Sequence, residues 1–236
     1  MTLIVSARER LNESALFLYF GVAILCLASR TPDIKRNLNV NNGTYGLLIS
    51  LGAIGAVIAY MLGGQLTHRF GVGRILIVTG TLTYGSIALI PHIHTAWIFV
   101  AANILLAAGF NSYNIAVHHQ ALKRQQLSGE RNIPRLHGAW SLGTLLTTLI
   151  SIAVTSHVSL AWHVGVLMAL LWIGTMTSIF ALRPHLIHGS NEYTDDEQIK
   201  VSDSWSMLTK DRYIAIAYVC AVMVEFSSND WVTLSS

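Results

Sequence analysis

Residues 75–122 and 136–182 each run without a single aspartate, glutamate, lysine or arginine. A helix that crosses a hydrocarbon core needs about 20 mostly apolar residues, so each run holds two crossings. Their turns fall at Pro91-His92-Ile93-His94 and near Ser156-His157-Val158-Ser159, where polar and helix-breaking residues interrupt the pattern. Two further crossings precede them at 14–30 and 44–66, and a seventh apolar segment starts near Arg212. The runs are long and do not alternate in hydropathy, which excludes the short strands of a membrane barrel. Only 11% of the residues are charged, against about 25% in soluble domains. The chain therefore reads as an all-α polytopic membrane protein. Cys26 and Cys220 both lie in apolar segments and read as small buried hydrophobes rather than a disulfide pair.

Basic residues orient such a chain, because they accumulate in cytoplasmic connections. Arg8 and Arg10 lie in the N-terminal tail, Arg69 and Arg74 between spans 2 and 3, and Lys123, Arg124, Arg131 and Arg135 between spans 4 and 5. Arg183, Lys200, Lys210 and Arg212 follow span 6. The opposite connections hold only Arg30, Lys35 and Arg36. This places the N-terminus in the cytoplasm. The net charge of +3 is spread over these short loops and forms no continuous patch, so nucleic acid is not an expected partner. The domains expected are a six-helix bundle over 1–182, a solvated cytoplasmic linker over 183–211, rich in acids and bases, and the start of a second bundle over 212–236.

One stretch has the look of a family signature. Gly63-Gly64-Gln65-Leu66-Thr67-His68-Arg69-Phe70-Gly71-Val72-Gly73-Arg74, between spans 2 and 3, resembles the loop motif G-x-L-x-D-R-x-G-R-R of the major facilitator superfamily. Gly64, Leu66, Arg69 and Gly71 match; His68 replaces the aspartate, and Arg74 stands one place late. Arg131-Asn132-Ile133-Pro134-Arg135-Leu136-His137-Gly138-Ala139-Trp140-Ser141-Leu142-Gly143, opening span 5, resembles H-G-x-x-S-x-G of the branch holding the fucose permease and uncharacterised bacterial inner-membrane permeases. Glu225 with Asp230-Trp231 is similar to an E…D-W pattern of the same branch, whereas span 4 departs from it at Asn114 and His118. The resemblance implies the first six-helix half of a transporter and part of a seventh helix, the other half lying outside this chain. It also implies a multi-pass protein of the cell (inner) membrane, and a chain that does not by itself drive uphill transport.

Within the spans, polar residues keep to helical faces. Asn103, Ala107, Asn111, Asn114 and His118 recur every three or four residues on span 4. A stripe of this kind is costly against lipid, so it faces a water-filled cavity or other helices. The resemblance favours a cavity, because helices 1 and 4 line it in the family. His137, Ser141, Thr144, Thr148, Ser151 and Thr155 form a second stripe on span 5; hydroxyls back-bond to their own helix, so this one reads as structural. Gly55, Ala59 and Gly63 on span 2 form a close-packing face, which the resemblance places against the missing half, without a complete partner in this chain. Glu225 falls near mid-membrane, the place for a proton carrier, and Asp230 nearer the outer end. Arg30 reads as a snorkelling side chain at the end of span 1.

Three functions compete. The first is secondary active transport of a small solute, a proton-coupled sugar or drug-like molecule. The second is a non-transporting truncated chain, and the third a seven-helix receptor, which the cytoplasmic N-terminus disfavours. No Walker A motif, HExxH spacing or other catalytic or cofactor pattern is present, so neither an enzyme nor a metal or cofactor is expected.

Overall fold

The computed structural model describes residues 6–186 and Ile216; the helices below belong to one compact unit, Met1–Asn191. Helix α1 spans Ala7–Leu25 and begins at Ser6, whose hydroxyl accepts from the Glu9 N–H and donates to the Glu9 carboxylate. The pairing satisfies an N–H that would otherwise be left over at the helix start. A short 3-10 turn, Ala28–Arg30, leads directly into α2, Thr31–Leu38. Helix α3 covers Asn42–Ser50 and α4 Ala53–Phe70, with Leu51 and Gly52 breaking the line between them. Helix α5 covers Val72–Leu89, α6 Ala96–Ser128, α7 Ile133–Val154 and α8 Leu160–Leu182.

By length and composition, six segments of these helices suffice to cross a membrane: Ala7–Leu38, Asn42–Phe70, Val72–His92, Ala96–Ser128, Ile133–Val154 and Leu160–His185. The expected turns at 91–94 and 156–159 are where the chain reverses. The first span starts about two turns earlier than hydropathy indicates, at Ala7, because charged first turns are admitted by capping and ion pairing. Helix α6 also runs past the expected end of span 4 and takes in Lys123 and Arg124. At 1.5 Å per residue its 33 residues reach about 50 Å, more than the ~30 Å hydrocarbon thickness. Lys123 and Arg124 are thus helical rather than part of a loop.

Tight junctions come from glycine. Helices α1 and α7 meet through a reciprocal pair: a Cβ on Gly21 would overlap the Trp140 carbonyl, and one on Gly143 would overlap the Leu18 carbonyl. Helix α6 also packs on α4 and α5, and α8 on α1 and α5. Two apolar clusters stand out among the described residues. One, near the end bearing the N-terminus, joins Leu16, Phe17, Phe20, Leu76, Tyr113, Leu136 and Leu182. The other, toward the opposite end, joins Val22, Cys26, Tyr84, Val164 and Met168; Cys26 is fully buried there as a small apolar group.

The small-residue face of α4 corrects the sequence reading. Gly55, Ala59 and Gly63 are buried within this chain. A Cβ on Gly55 would overlap the Ile104 carbonyl, and one on Gly63 would lie 2.9 Å from the Ile115 side chain. The partner is α6, drawn onto α4 because no side chain keeps the two backbones apart. The exposed side of α4 is instead the apolar one, carrying Ile54, Val57, Ile58, Met61 and Leu62.

Candidate functional site

The polar face foreseen on span 4 lies on α6. Asn103, Ala107, Asn111, Asn114 and His118 are all half-buried. Two of the three amides bond back one turn along the helix: Asn103 Nδ2 donates to the Phe99 carbonyl at 3.0 Å and Asn111 Nδ2 to the Ala107 carbonyl at 2.8 Å. His118 Nδ1 lies 2.9 Å from the Asn114 carbonyl. These bonds hold the side chains against the helix. Asn103 stands apart from the rest, since the Cβ of Gly52 would sit 3.4 Å from its own Cβ at the α3–α4 break.

Toward the N-terminal end, the face meets α1 and α7. His118 and His137 approach with ring centroids 5.4 Å apart, and Phe17 of α1 packs edge-on against both, at 5.0 and 6.3 Å. One turn further along α1, Phe20 stacks on Phe110 at 4.3 Å and on Tyr113 at 4.7 Å. The structure thereby brings together two histidines from separate sequence motifs around an aromatic floor. On the hydroxyl stripe of α7, Thr144, Thr148 and Thr155 back-bond to their own helix, donating to the carbonyls of Ser141, Thr144 and Ser151.

A charged cluster that the sequence reading missed closes this end. Arg124, on the last turns of α6, is buried. It donates to the Glu13 carboxylate at 2.6 Å and also pairs with Glu9, both on α1. Arg135 of α7 lies 3.6 Å from the other Glu13 oxygen, His185 lies 3.6 Å from Glu9, and Arg10 pairs with Glu130 at 2.6 Å. Gln120 donates to the His185 carbonyl at 3.0 Å. Three acids and three arginines thus tie the ends of α1, α6, α7 and the turn after α8. Glu13, at the edge of the first apolar run, was the available signal; Arg124 lies 111 residues away from it in sequence.

The loop motif occupies the junction of α4 and α5. Gly71 ends α4 with φ 80° and ψ 152°, a left-sided conformation that L side chains rarely adopt, and its N–H reaches the Thr67 carbonyl. Gly64 is exposed, with open space where a Cβ would stand. His68 is half-buried, Arg74 is exposed, and Arg69 lies over the Phe70 ring at 5.3 Å. Among the described residues neither Arg69 nor Arg74 forms an ion pair. The buried ion pairs that join helix ends on this side are those of Glu9 and Glu13 with Arg124.

Arg30 also differs from its sequence reading. Its side chain is 3% exposed and does not snorkel. Nε donates to His163 Nδ1 at 3.2 Å, and the two Nη atoms donate to Asp33 and to the Thr155 and Val158 carbonyls. Unbonded backbone carbonyls in the turn between α7 and α8 offered the guanidinium a better shell than lipid headgroups would. Glu225 and Asp230, the other proposed cavity residues, lie outside the described residues, as do 187–211 of the linker and Cys220.

Comparison with known proteins places this geometry. The model of the Major Facilitator Superfamily matches residues 14–235. An uncharacterized MFS-type transporter of Yersinia pestis is 23% identical over 238 residues, which cover 94% of this chain and 56% of that protein. The membrane protein MosC of Rhizobium meliloti is 26% identical over 55% of this chain and 32% of its own length. An uncharacterized transporter of Sinorhizobium fredii is 26% identical over 55% of this chain and 34% of its own length. The chain thus spans little more than half the length of the Yersinia relative, and its matches to the other two cover about a third of each.

Proposed function

The chain belongs to the Major Facilitator Superfamily, and from that premise we propose that it forms the first six-helix half of a secondary active transporter, whose central path runs along the Asn111–Asn114–His118 side of α6. Membership and the relatives named as transporters support transmembrane transport of a small solute. The finer reading is a proton-coupled carrier of a sugar or drug-like solute, with the N-terminus and the linker after α8 in the cytoplasm of a bacterial inner-membrane protein. Solute cavities in this class sit between two halves that rock about a midplane site, so the residues facing that site should be polar, held, and not sealed by their own half. Asn111 and His118 meet all three conditions, Asn114 is polar and unsealed beside them, and their half-buried state carries the proposal. His137 and Phe17 form the cytoplasmic floor of the path in this reading. Gly71 makes the tight turn between α4 and α5, with Gly64, His68 and Arg69 of the loop motif before it on α4 and Arg74 after it on α5. Glu225 is the proposed proton carrier and Asp230 a further residue of the solute path.

Water access tests the assignment without knowledge of the solute. In a variant lacking Cys26 and Cys220, single cysteines at Asn111, Asn114 and His118 should react with a hydrophilic methanethiosulfonate in reconstituted membranes. A cysteine at Val78, which is 63% exposed on α5, should not, because lipid suppresses the thiolate. Equal, negligible reaction at all four positions would refute the water-lined path. Labelling of a cysteine at Gln126 by an impermeant reagent in intact cells would refute the cytoplasmic placement.

A further inference from the structure

At the end of the bundle away from the N-terminus, a cavity of about 380 Å³ opens between the α2 region and the turn joining α7 to α8. Arg30, Asp33, Arg36 and the turn from Thr155 to Leu160, where α8 begins, line it. Its depth is marked by Trp97 and Trp162, on the first turns of α6 and α8, which are 77% and 71% exposed. Outward-facing tryptophans at helix ends belong at the headgroup level of a bilayer.

The lining is built for a negative charge. Arg30 is 98% buried, its relative exposure being 2%. A guanidinium has five N–H groups, and its bonds to His163, Asp33, Thr155 and Val158 occupy four of them. The fifth, the second hydrogen on Nη2, has no protein acceptor among the described residues. Asp33 is shared between Arg30 at 3.1 Å and Arg36 at 3.4 Å, so the two arginines outnumber the one acid. Helix α8 adds its positive end: Ser159 caps the Trp162 N–H, and the preceding N–H groups of the first turn are left for an outside acceptor. A neutral solute would leave the excess positive charge and these donors uncompensated. A phosphate group answers both, since it brings negative charge and several acceptor oxygens.

From the buried Arg30, the charge excess and the α8 terminus we infer that this cavity binds a phosphate-bearing group at the membrane surface, opposite in the bundle to the Glu13–Arg124 cluster. Two sources share that chemistry: the headgroup of an anionic lipid and free phosphate.

Native mass spectrometry of the purified 236-residue chain, in a phosphate-free detergent, distinguishes them. Short-chain phosphatidylglycerol is titrated against the diacylglycerol of the same chain length, and radiolabelled inorganic phosphate is tested by equilibrium dialysis. One retained phosphatidylglycerol, not displaced by the diacylglycerol, is the expected result. Arg36→Gln should weaken it roughly fivefold, the effect of one basic residue on an anionic headgroup. Ser156→Asp, which adds a negative charge to the rim, should weaken it at least as much, and Arg8→Gln at the opposite end should not. Saturable binding of inorganic phosphate with the same dependence on Arg36 assigns the site to the free anion. Equal retention of the phosphate-free lipid, indifference to both Arg36→Gln and Ser156→Asp, or no binding of either phosphate source would overturn the inference. Arg30→Lys is informative where circular dichroism shows native helicity; the two rim variants decide the matter where it does not.

Discussion

Replacing Arg124 by methionine isolates the worth of the charged cluster. Arg124 and Glu13 have side chains only 7% and 5% exposed, joined at 2.6 Å. Removing the arginine leaves a buried carboxylate whose remaining cation is Arg135 at 3.6 Å, an off-centre and more exposed partner. Breaking a buried pair from one side costs about 3–5 kcal/mol, because the surviving charge stays desolvated. The opposite change, Glu13→Gln, is milder: Arg124 keeps its bond to Glu9, and a neutral amide is cheaper to bury than a lone charge, so the expected cost is about 1–2 kcal/mol. Glu13→Leu combined with Arg124→Met removes both charges and should recover most of the loss. Reversible unfolding in mixed micelles, followed by far-ultraviolet circular dichroism, gives the three values. Equal losses for Arg124→Met and Glu13→Gln would refute the asymmetry. A double variant no more stable than Arg124→Met alone would show that the arginine acts through its packing rather than through the buried charge.

Three other substitutions test the packing. Ala59→Leu should overpack the α4–α6 contact, at a cost of about 1–3 kcal/mol, whereas Val57→Leu, on the exposed side of α4, should change little; the same unfolding assay compares them, and equal stabilities would return the Gly55–Ala59–Gly63 face to an outside partner. Tyr84→Phe removes a 2.8 Å bond from the fully buried Thr175 hydroxyl, and should lower stability by about 1 kcal/mol without altering helical content at low denaturant.

Much of the architecture was written along single segments. The uncharged runs dictated the later crossings, since backbone groups in hydrocarbon must be satisfied inside a helix. Pro91 and Ser159 stand at the turns, and the steps between Asn103 and His118 placed a polar face on one side of α6. All of these are properties of neighbours in sequence, decided by hydrogen bonding, helical period and transfer from water. What escaped the sequence depended on which helices meet. Glycines alone said that α4 approaches something closely; that the something is α6 follows only from the packed bundle. Arg124 read as a loop charge and Arg30 as a snorkelling one. Both are buried, because distant acids and turn carbonyls supply what water would have supplied. A charged side chain carries the same local pattern whether it ends in solvent or in a pair, and the desolvation cost that separates these outcomes is fixed by partners more than a hundred residues away.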